Sequence, residues 1–177
     1  GHESLAACTT GSHNTGIGHD ALKSVTTGSY NTALGRDAGR SIVGGSGNVC
    51  IGHNANDAAS TANVVAVGPF AASANTADNI TAVGYFSLLN NTSGSLNQAF
   101  ESQALEDNTT GSDNTAVGLN ALQQNTTANN NTAIGRNALV NNTIGDELVC
   151  IGNYAGDAIT DAHQCCFVGY NAGTNCT

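Results

Sequence analysis

Histidines and cysteines are the residues of this chain that could do chemistry. His19 and His53 each follow a glycine, and His2 would join them if Gly1 belongs to the same series. Metal binding needs several such ligands close together. The sequence contains no Cys-x-x-Cys pair, no Ser-His-Asp set, no nucleotide-binding glycine loop and no EF-hand pattern. It therefore predicts no catalytic residue, no metal site and no cofactor, and the chain is not expected to be an enzyme.

The elements that must position these residues are repeats of about 17 residues. Two of them read NTAVGLNAL (114–122) and NTAIGRNAL (131–139). The glycine of this motif recurs every 17 residues, except for two steps of 16 around Gly68 and one glutamate in its place. These anchor positions are Gly18, Gly35, Gly52, Gly68, Gly84, Glu101, Gly118, Gly135, Gly152 and Gly169. A fixed period indicates a repeat architecture, here one repeat domain over residues 1–177.

Each repeat has room for one short strand and several turns. The residues before the anchor are partly β-branched and bounded by turn formers, as in Thr132-Ala133-Ile134. The sequence therefore predicts an all-β fold, a parallel β-solenoid of about ten 17-residue coils without caps. Coils stacked at about 4.8 Å put His19 roughly 10 Å from His53, too far apart to share an ion. Asparagines two residues after the anchor, such as Asn120 and Asn137, are expected to form a ladder between coils.

Side chains of a strand alternate between its two faces. The residue before the anchor is always apolar, and we expect it to pack inside the coil. The preceding residue is small and must then point outward, against a neighbouring copy of the chain or a return strand of the same roll. The inter-chain packing residues predicted in this way are Ala33, Cys50, Ala66, Ala82, Ala116 and Ala133. For Cys50, the alternative is a core residue that replaces an alanine.

Six cysteines are an even number, which favours disulfides and an oxidising compartment, with buried free thiols as the alternative. Cys8 and Cys176 occupy the same position of the first and last repeats. They predict an intersubunit bond between copies stacked head to tail. Cys150 lies one coil before Cys165 and Cys166, which predicts an intrachain bond to one of them.

Asparagine-linked glycosylation is predicted at seven Asn-x-Thr sequences. Five of them fall six or seven residues after the anchor, far from the apolar positions of the repeat. The predicted sites are Asn79, Asn90, Asn108, Asn125, Asn130, Asn141 and Asn175.

Charge and hydropathy exclude several classes of partner. The net charge is −9, with only four basic residues, so nucleic acid is not expected to bind. No apolar run approaches the about 18 residues that cross a bilayer, so membrane insertion is not expected. The chain begins at Gly1 without an initiator methionine, which fits removal of a targeting segment or a piece of a longer protein.

The repeats NTAVGLNAL, NTAIGRNAL, NTALGRDAG and NTGIGHDAL, joined by TTGS at 26–29 and 109–112, resemble the repeats of viral and bacteriophage tail-fibre shafts. They are also similar to the head repeats of trimeric autotransporter adhesins. The resemblance covers residues 11–173 and implies a left-handed parallel β-roll, often of three chains around one axis. Pieces such as LGRDAG also match the hexapeptide of β-helix acyltransferases, but only once per coil.

These observations predict a structural subunit of an extracellular filament or fibre, either secreted or on a virion surface. Its partner would be another copy of itself, in a head-to-tail polymer or a parallel trimer. The alternative is an adhesin that binds a receptor or surface glycans, which an exposed aromatic cluster would favour. Ice binding by a threonine array is less favoured, because Gln98 and three valines interrupt the threonine column.

Overall fold

The computed structural model describes residues 1–58 and 61–174, and within these ranges it contains ten three-residue strands and no helix. The strands are β1 (Thr15–Ile17), β2 (Thr32–Leu34), β3 (Val49–Ile51), β4 (Val65–Val67), β5 (Thr81–Val83), β6 (Gln98–Phe100), β7 (Thr115–Val117), β8 (Thr132–Ile134), β9 (Val149–Ile151) and β10 (Cys166–Val168). Each strand pairs in parallel with the next, in the order β1 to β10. The predicted all-β parallel solenoid is confirmed.

Equivalent residues of successive coils lie opposite one another. Val117 of β7 pairs with Ile134 of β8. The register continues through the two 16-residue coils, where Ile51 pairs with Val67 and Val67 with Val83. The missing residue is therefore absorbed in the loops, and the sheet runs through this region without interruption.

After each strand the chain reverses through consecutive β-turns. The amide of Ala121 donates to the carbonyl of Gly118 at 3.1 Å, and that of Gln123 donates to the carbonyl of Asn120 at 3.3 Å. Asn120 and Leu122 adopt φ angles of 57° and 51°. For leucine this left-handed conformation costs about 1–2 kcal/mol. Leu122 is fully buried, and burial of its side chain contributes about 1.5–3 kcal/mol, which offsets that cost.

The anchor glycine is required where successive coils approach closely. Gly118 has a φ of 129°, and a Cβ built on it would lie 2.7 Å from the carbonyl oxygen of Gly135. Both the conformation and the spacing therefore exclude a side chain at this position. Glu101, which replaces the glycine in one coil, keeps a positive φ of 103° and is the strained member of the column.

The interior of the coil is filled by the small residues in the middle of each strand. Ala116 packs in one continuous core with Ala121 and Leu122 of the turns. The prediction that the strand's small residues form an inter-chain contact is wrong. A coil with only three strand residues is narrow, so small side chains fit between the strand and the turns. The six residues concerned are at most 1% exposed: Ala33, Cys50, Ala66, Ala82, Ala116 and Ala133.

The apolar residues next to the anchor glycine lie outside, which reverses the predicted orientation of the strand. Ile17 is 57% exposed and Val168 is 66% exposed. The first residue of each strand, two positions before these apolar residues, faces outward as well, since side chains alternate. We call the two columns together the outer face. It consists of Ile17, Leu34, Ile51, Val67, Val83, Phe100, Val117, Ile134, Ile151 and Val168, alongside Thr15, Thr32, Val49, Val65, Thr81, Gln98, Thr115, Thr132, Val149 and Cys166.

Buried asparagines connect the coils at two further positions that the sequence analysis did not single out. Asn114 donates from Nδ2 to Asn97 Oδ1 at 3.1 Å and to the carbonyl of Ala128 at 2.8 Å. The same arrangement joins Asn14, Asn31 and Asn48, and a second ladder joins Asn75, Asn91, Asn108, Asn125 and Asn142. The predicted ladder has one rung, from Asn120 Nδ2 to Asn137 Oδ1 at 3.1 Å.

Candidate functional site

The outer face carries a continuous column of apolar residues along the described sheet, and six of them are at least 36% exposed. Its regular spacing follows from the strand register, which places each residue opposite its equivalent in the next coil. Exposed apolar surface of this extent is typical of an interface. The sequence did not identify this face as exposed, because both faces of the strand carry apolar residues. The size of the side chains was the sequence signal that could have identified the interior, since only small residues fit within a narrow coil.

An aromatic cluster lies where β3, β4 and β5 run into their turns. The ring of Phe70 contacts His53 and Phe86 edge-on, with centroid distances of 5.0 and 5.4 Å. Tyr85 stacks on Phe86 at 3.9 Å and is 48% exposed. The cluster forms because the coil register places equivalent turn residues above one another. It gives this corner an exposed aromatic surface, the feature that the glycan-binding alternative requires.

The cysteines in the middle of strands are core residues. Cys50 and Cys150 have no exposed surface, and burial raises the pKa of each thiol to about 12. A thiol held in this way is not a nucleophile at neutral pH. Cys50 therefore replaces an alanine in the core, which was the alternative to inter-chain pairing.

The predicted intrachain disulfide is wrong, because Cys150 and the other described cysteines are free thiols. Cys150 points into the coil, and its partner across the sheet is Phe167. Cys166 pairs with Val149 and is exposed on the outer face. Cys165 lies just before the strand, where its Sγ donates to the carbonyl of His163 at 3.3 Å. Strand alternation thus places the sulfurs of Cys150 and Cys166 on opposite faces of the sheet.

The predicted intersubunit disulfide involves a residue that the structure does not describe. Cys8 is half-buried, and its Sγ lies 3.4 Å from the carbonyl oxygen of Gly11. Cys176 lies outside the described residues, so the bond between the two stays a prediction.

The predicted glycosylation sites divide into two groups according to their position in the coil. Asn79, Asn90 and Asn130 are exposed, and Asn141 is half-buried. Asn108 and Asn125 have no exposed surface, and both belong to the second asparagine ladder. Each Nδ2 is held inside the coil by a hydrogen bond, which disfavours both as glycan acceptors on the folded chain. The predicted site Asn175 lies outside the described residues.

The structure confirms that Gly1 belongs to the repeat series and brings His2 next to His19. The amide of Asp20 donates to the carbonyl of His2 at 2.9 Å, as the amide of Asp37 does to the carbonyl of His19. The two imidazole rings stack with centroids 4.9 Å apart. The spacing estimated from the sequence was that between His19 and His53, two coils apart, whereas His2 lies only one coil from His19.

A group of charged residues surrounds the stacked histidines. Lys23 forms an ion pair with Glu3, and this hydrogen bond lowers the pKa of the Glu3 carboxyl and raises the pKa of Lys23. Lys23 Nζ also lies 3.5 Å from Asp20 Oδ2. The first two coils therefore hold a cluster of two imidazoles, two carboxylates and one ammonium group.

The described part of the chain includes no helix that is both long and apolar enough to cross a membrane. Comparison of the chain with models of protein families, with curated proteins and with solved structures gave no match.

Proposed function

We propose that this chain is a structural segment of an extracellular filament or fibre, which associates with other copies of itself and performs no catalysis. The outer face is the observation that carries the proposal. Its column next to the anchor glycine is apolar, follows the whole sheet from β1 to β10 and repeats with the spacing of the coils. A second copy has the same spacing and can therefore match it residue for residue.

The energy available supports association through this face. Complete burial of a valine or isoleucine side chain contributes about 1.5–3 kcal/mol. Half-exposed residues such as Leu34 and Ile134 have about 1 kcal/mol each still to gain. The six exposed members of this column together give roughly 4–8 kcal/mol, which reaches the lower part of the association cost of about 4–15 kcal/mol; they are Ile17, Leu34, Phe100, Ile134, Ile151 and Val168. Chains side by side in a parallel dimer or trimer would bury this column.

The ends of the sheet offer a second mode of association. Among the described residues, β1 pairs only with β2, and β10 pairs only with β9. The free edge of a strand can pair with another chain. Head-to-tail stacking, with a bond between Cys8 and Cys176, would extend the shaft. Secretion and glycosylation are part of the same proposal, supported by the exposed acceptors Asn79, Asn90 and Asn130.

The test compares the oligomeric state of two kinds of variant by sedimentation velocity and electron microscopy. Lysine at Val117 and Ile134 introduces charge on the outer face, and we expect the double variant to remain monomeric where the wild type associates. Ile144→Lys is the matched control, because Ile144 is 51% exposed but lies in a turn away from the strands. A wild type that stays monomeric at high concentration, or a control variant that dissociates equally, would contradict the proposal.

Glycan binding is a second candidate, favoured by the aromatic cluster of His53, Phe70, Tyr85 and Phe86. Aromatic faces stack on the apolar faces of sugar rings, and Tyr85 adds an exposed hydroxyl. Screening against a panel of immobilised glycans tests this. Tyr85→Ala should abolish binding, whereas Tyr30→Ala, at an exposed tyrosine stacked on His13 in the first coils, should leave binding unchanged. Equal loss in both variants would exclude the cluster as the binding site.

A further inference from the structure

The side chains of His2, His19 and Asp20 converge at the start of the solenoid. Their potential ligand atoms all lie within 4.8 Å of one another. The two imidazoles are exposed and nearly parallel, with an angle of 13° between the rings. Because hydrogen bonds join the backbones of successive coils, the two histidines are held one coil apart.

Asp20 supplies a buried carboxylate oxygen that lacks a donor. The residue is 7% exposed, and no group among the described residues donates a hydrogen bond to its Oδ1 atom. Lys23 faces the other oxygen, Oδ2, at 3.5 Å. The Oδ1 atom lies 3.3 Å from Nδ1 of His19. A buried carboxylate oxygen without a partner is unfavourable, unless a cation compensates it.

The next coil shows how the same position is satisfied by a cation. Asp37 is equivalent to Asp20 and is equally buried, at 6% exposure. Arg36, which takes the position of His19, places Nε 3.0 Å from Asp37 Oδ2. One coil further on, the position holds the neutral Asn54. At Asp20 the facing groups are the Lys23 ammonium at Oδ2 and the His19 imidazole at Oδ1.

We propose that His2, His19 and Asp20 bind a divalent transition-metal ion of the zinc class. One ring nitrogen from each histidine and Oδ1 of Asp20 would be the three protein ligands. Zinc accepts imidazole and carboxylate ligands at bond lengths of about 2.0–2.2 Å, so binding would draw the ring nitrogens and Oδ1 of Asp20 closer than their present spacing of up to 4.8 Å. The ion joins the first two coils and neutralises the buried carboxylate, so its role is structural.

The experiment is a calorimetric titration of the full chain with Zn²⁺ alone. We expect one ion per chain. Removal of an outer-shell partner of a metal weakens binding about 10–100-fold, and His19→Ala and Asp20→Asn should each weaken Zn²⁺ binding by more than this. Asparagine stands at the equivalent position in other coils, such as Asn54 and Asn120, so Asp20→Asn should fold. His53→Ala is the matched control, because His53 precedes Asn54 and should not contribute.

Two further measurements separate a specific site from general histidine binding. Bound Co²⁺ should give visible absorption bands in the wild type and none in Asp20→Asn. Zn²⁺ should also slow hydrogen exchange at the amides of Leu5 and Ala7, which donate to the carbonyls of Ala21 and Lys23 in the next coil. Absence of Zn²⁺ binding, or an equal loss in His53→Ala, would overturn the proposal.

Discussion

The sulfur of Cys150 occupies the space in which a side chain at Gly156 would lie. A Cβ built on Gly156 would be 2.7 Å from Cys150 Sγ. The arrangement at Gly39 differs, because Cys50 lies in the following coil: a Cβ built on Gly39 would be 2.9 Å from Leu22 Cδ2 and 3.2 Å from Cys50 Sγ. In four other coils the position of Gly156 carries a leucine and the strand carries an alanine, as in Leu122 and Ala116. The sulfur of Cys150 thus fills volume that the missing side chain of Gly156 leaves.

This compensation predicts a coupling between Cys150 and Gly156. Cys150→Ala alone leaves a cavity, and Gly156→Ala alone creates a clash with the sulfur, so each should destabilise the chain by about 1–3 kcal/mol. The double variant recreates the pair Ala66 and Ala72, in which Ala72 tolerates a φ of 51°. Denaturant unfolding should give a coupling energy of at least about 1 kcal/mol. Additive effects of the two substitutions would contradict this.

The buried thiols predict a loss of stability at alkaline pH. Burial raises the pKa of Cys50 from its ordinary value of 9.0 to about 12. Between these values the unfolded chain releases the proton and the folded chain retains it, so the free energy of unfolding falls as the pH rises. The slope is about 1.4 kcal/mol per pH unit for one group. Unfolding curves from pH 7 to 11 should show a smaller loss for Cys50→Ala than for wild type.

The exposed Cys166 provides the control for this measurement. Cys166→Ala should leave the alkaline slope unchanged, since this thiol is exposed on the outer face. If both alanine variants reduce the slope equally, burial of Cys50 is not the cause.

The asparagine ladder predicts a large cost for removing one rung. Asn114→Ala removes hydrogen bonds to Asn97 and Ala128 and leaves their buried oxygens without those donors. Each lost partner costs about 1–3 kcal/mol, so the variant should be less stable by roughly 2–4 kcal/mol. The exposed Gln124 lies in the same coil, and Gln124→Ala should change stability by less than about 0.5 kcal/mol. Thermal unfolding of both variants distinguishes the ladder from a general effect of polar side chains.

The anchor column predicts opposite effects at two positions. Glu101→Gly relieves a non-glycine residue with a φ of 103°, and it should stabilise the chain by about 1 kcal/mol. Gly118→Ala introduces a Cβ 2.7 Å from the backbone of Gly135, and it should lower the melting temperature. Calorimetry of the two variants tests this, and stabilisation of both would contradict the close approach of the coils.

The alternation of buried and exposed asparagines predicts which sequons carry glycans. After expression through a eukaryotic secretory pathway, peptide mass spectrometry should find glycans on Asn79, Asn90 or Asn130, which are exposed. Asn108 and Asn125 should be unmodified in folded protein, because their amides lie inside the coil. A glycan on Asn108 in protein with the native unfolding transition would refute this assignment.

Much of the site could be located from the sequence, but not its contacts. The repeat placed His2, His19 and His53 in one column, and the structure then showed that the first two are neighbours. The burial of Asp20 had no sequence signal, because its column also holds exposed and half-buried residues. The aromatic cluster was visible as an excess of Phe70, Tyr85 and Phe86 in the middle repeats. Its packing depends on the exact stacking of the shortened coils.

The sequence by itself determined the period, the strand in each repeat and the parallel order, because a 17-residue repeat with one short strand leaves few ways to stack. Only the tertiary structure decided which side of the strand is the interior. Alternation assigns Ala116 and Val117 to opposite faces but does not say which face is enclosed. The narrow coil encloses the small side chain of Ala116 and leaves Val117 outside. That choice converts the predicted core into an exposed apolar surface and the predicted interface into the core.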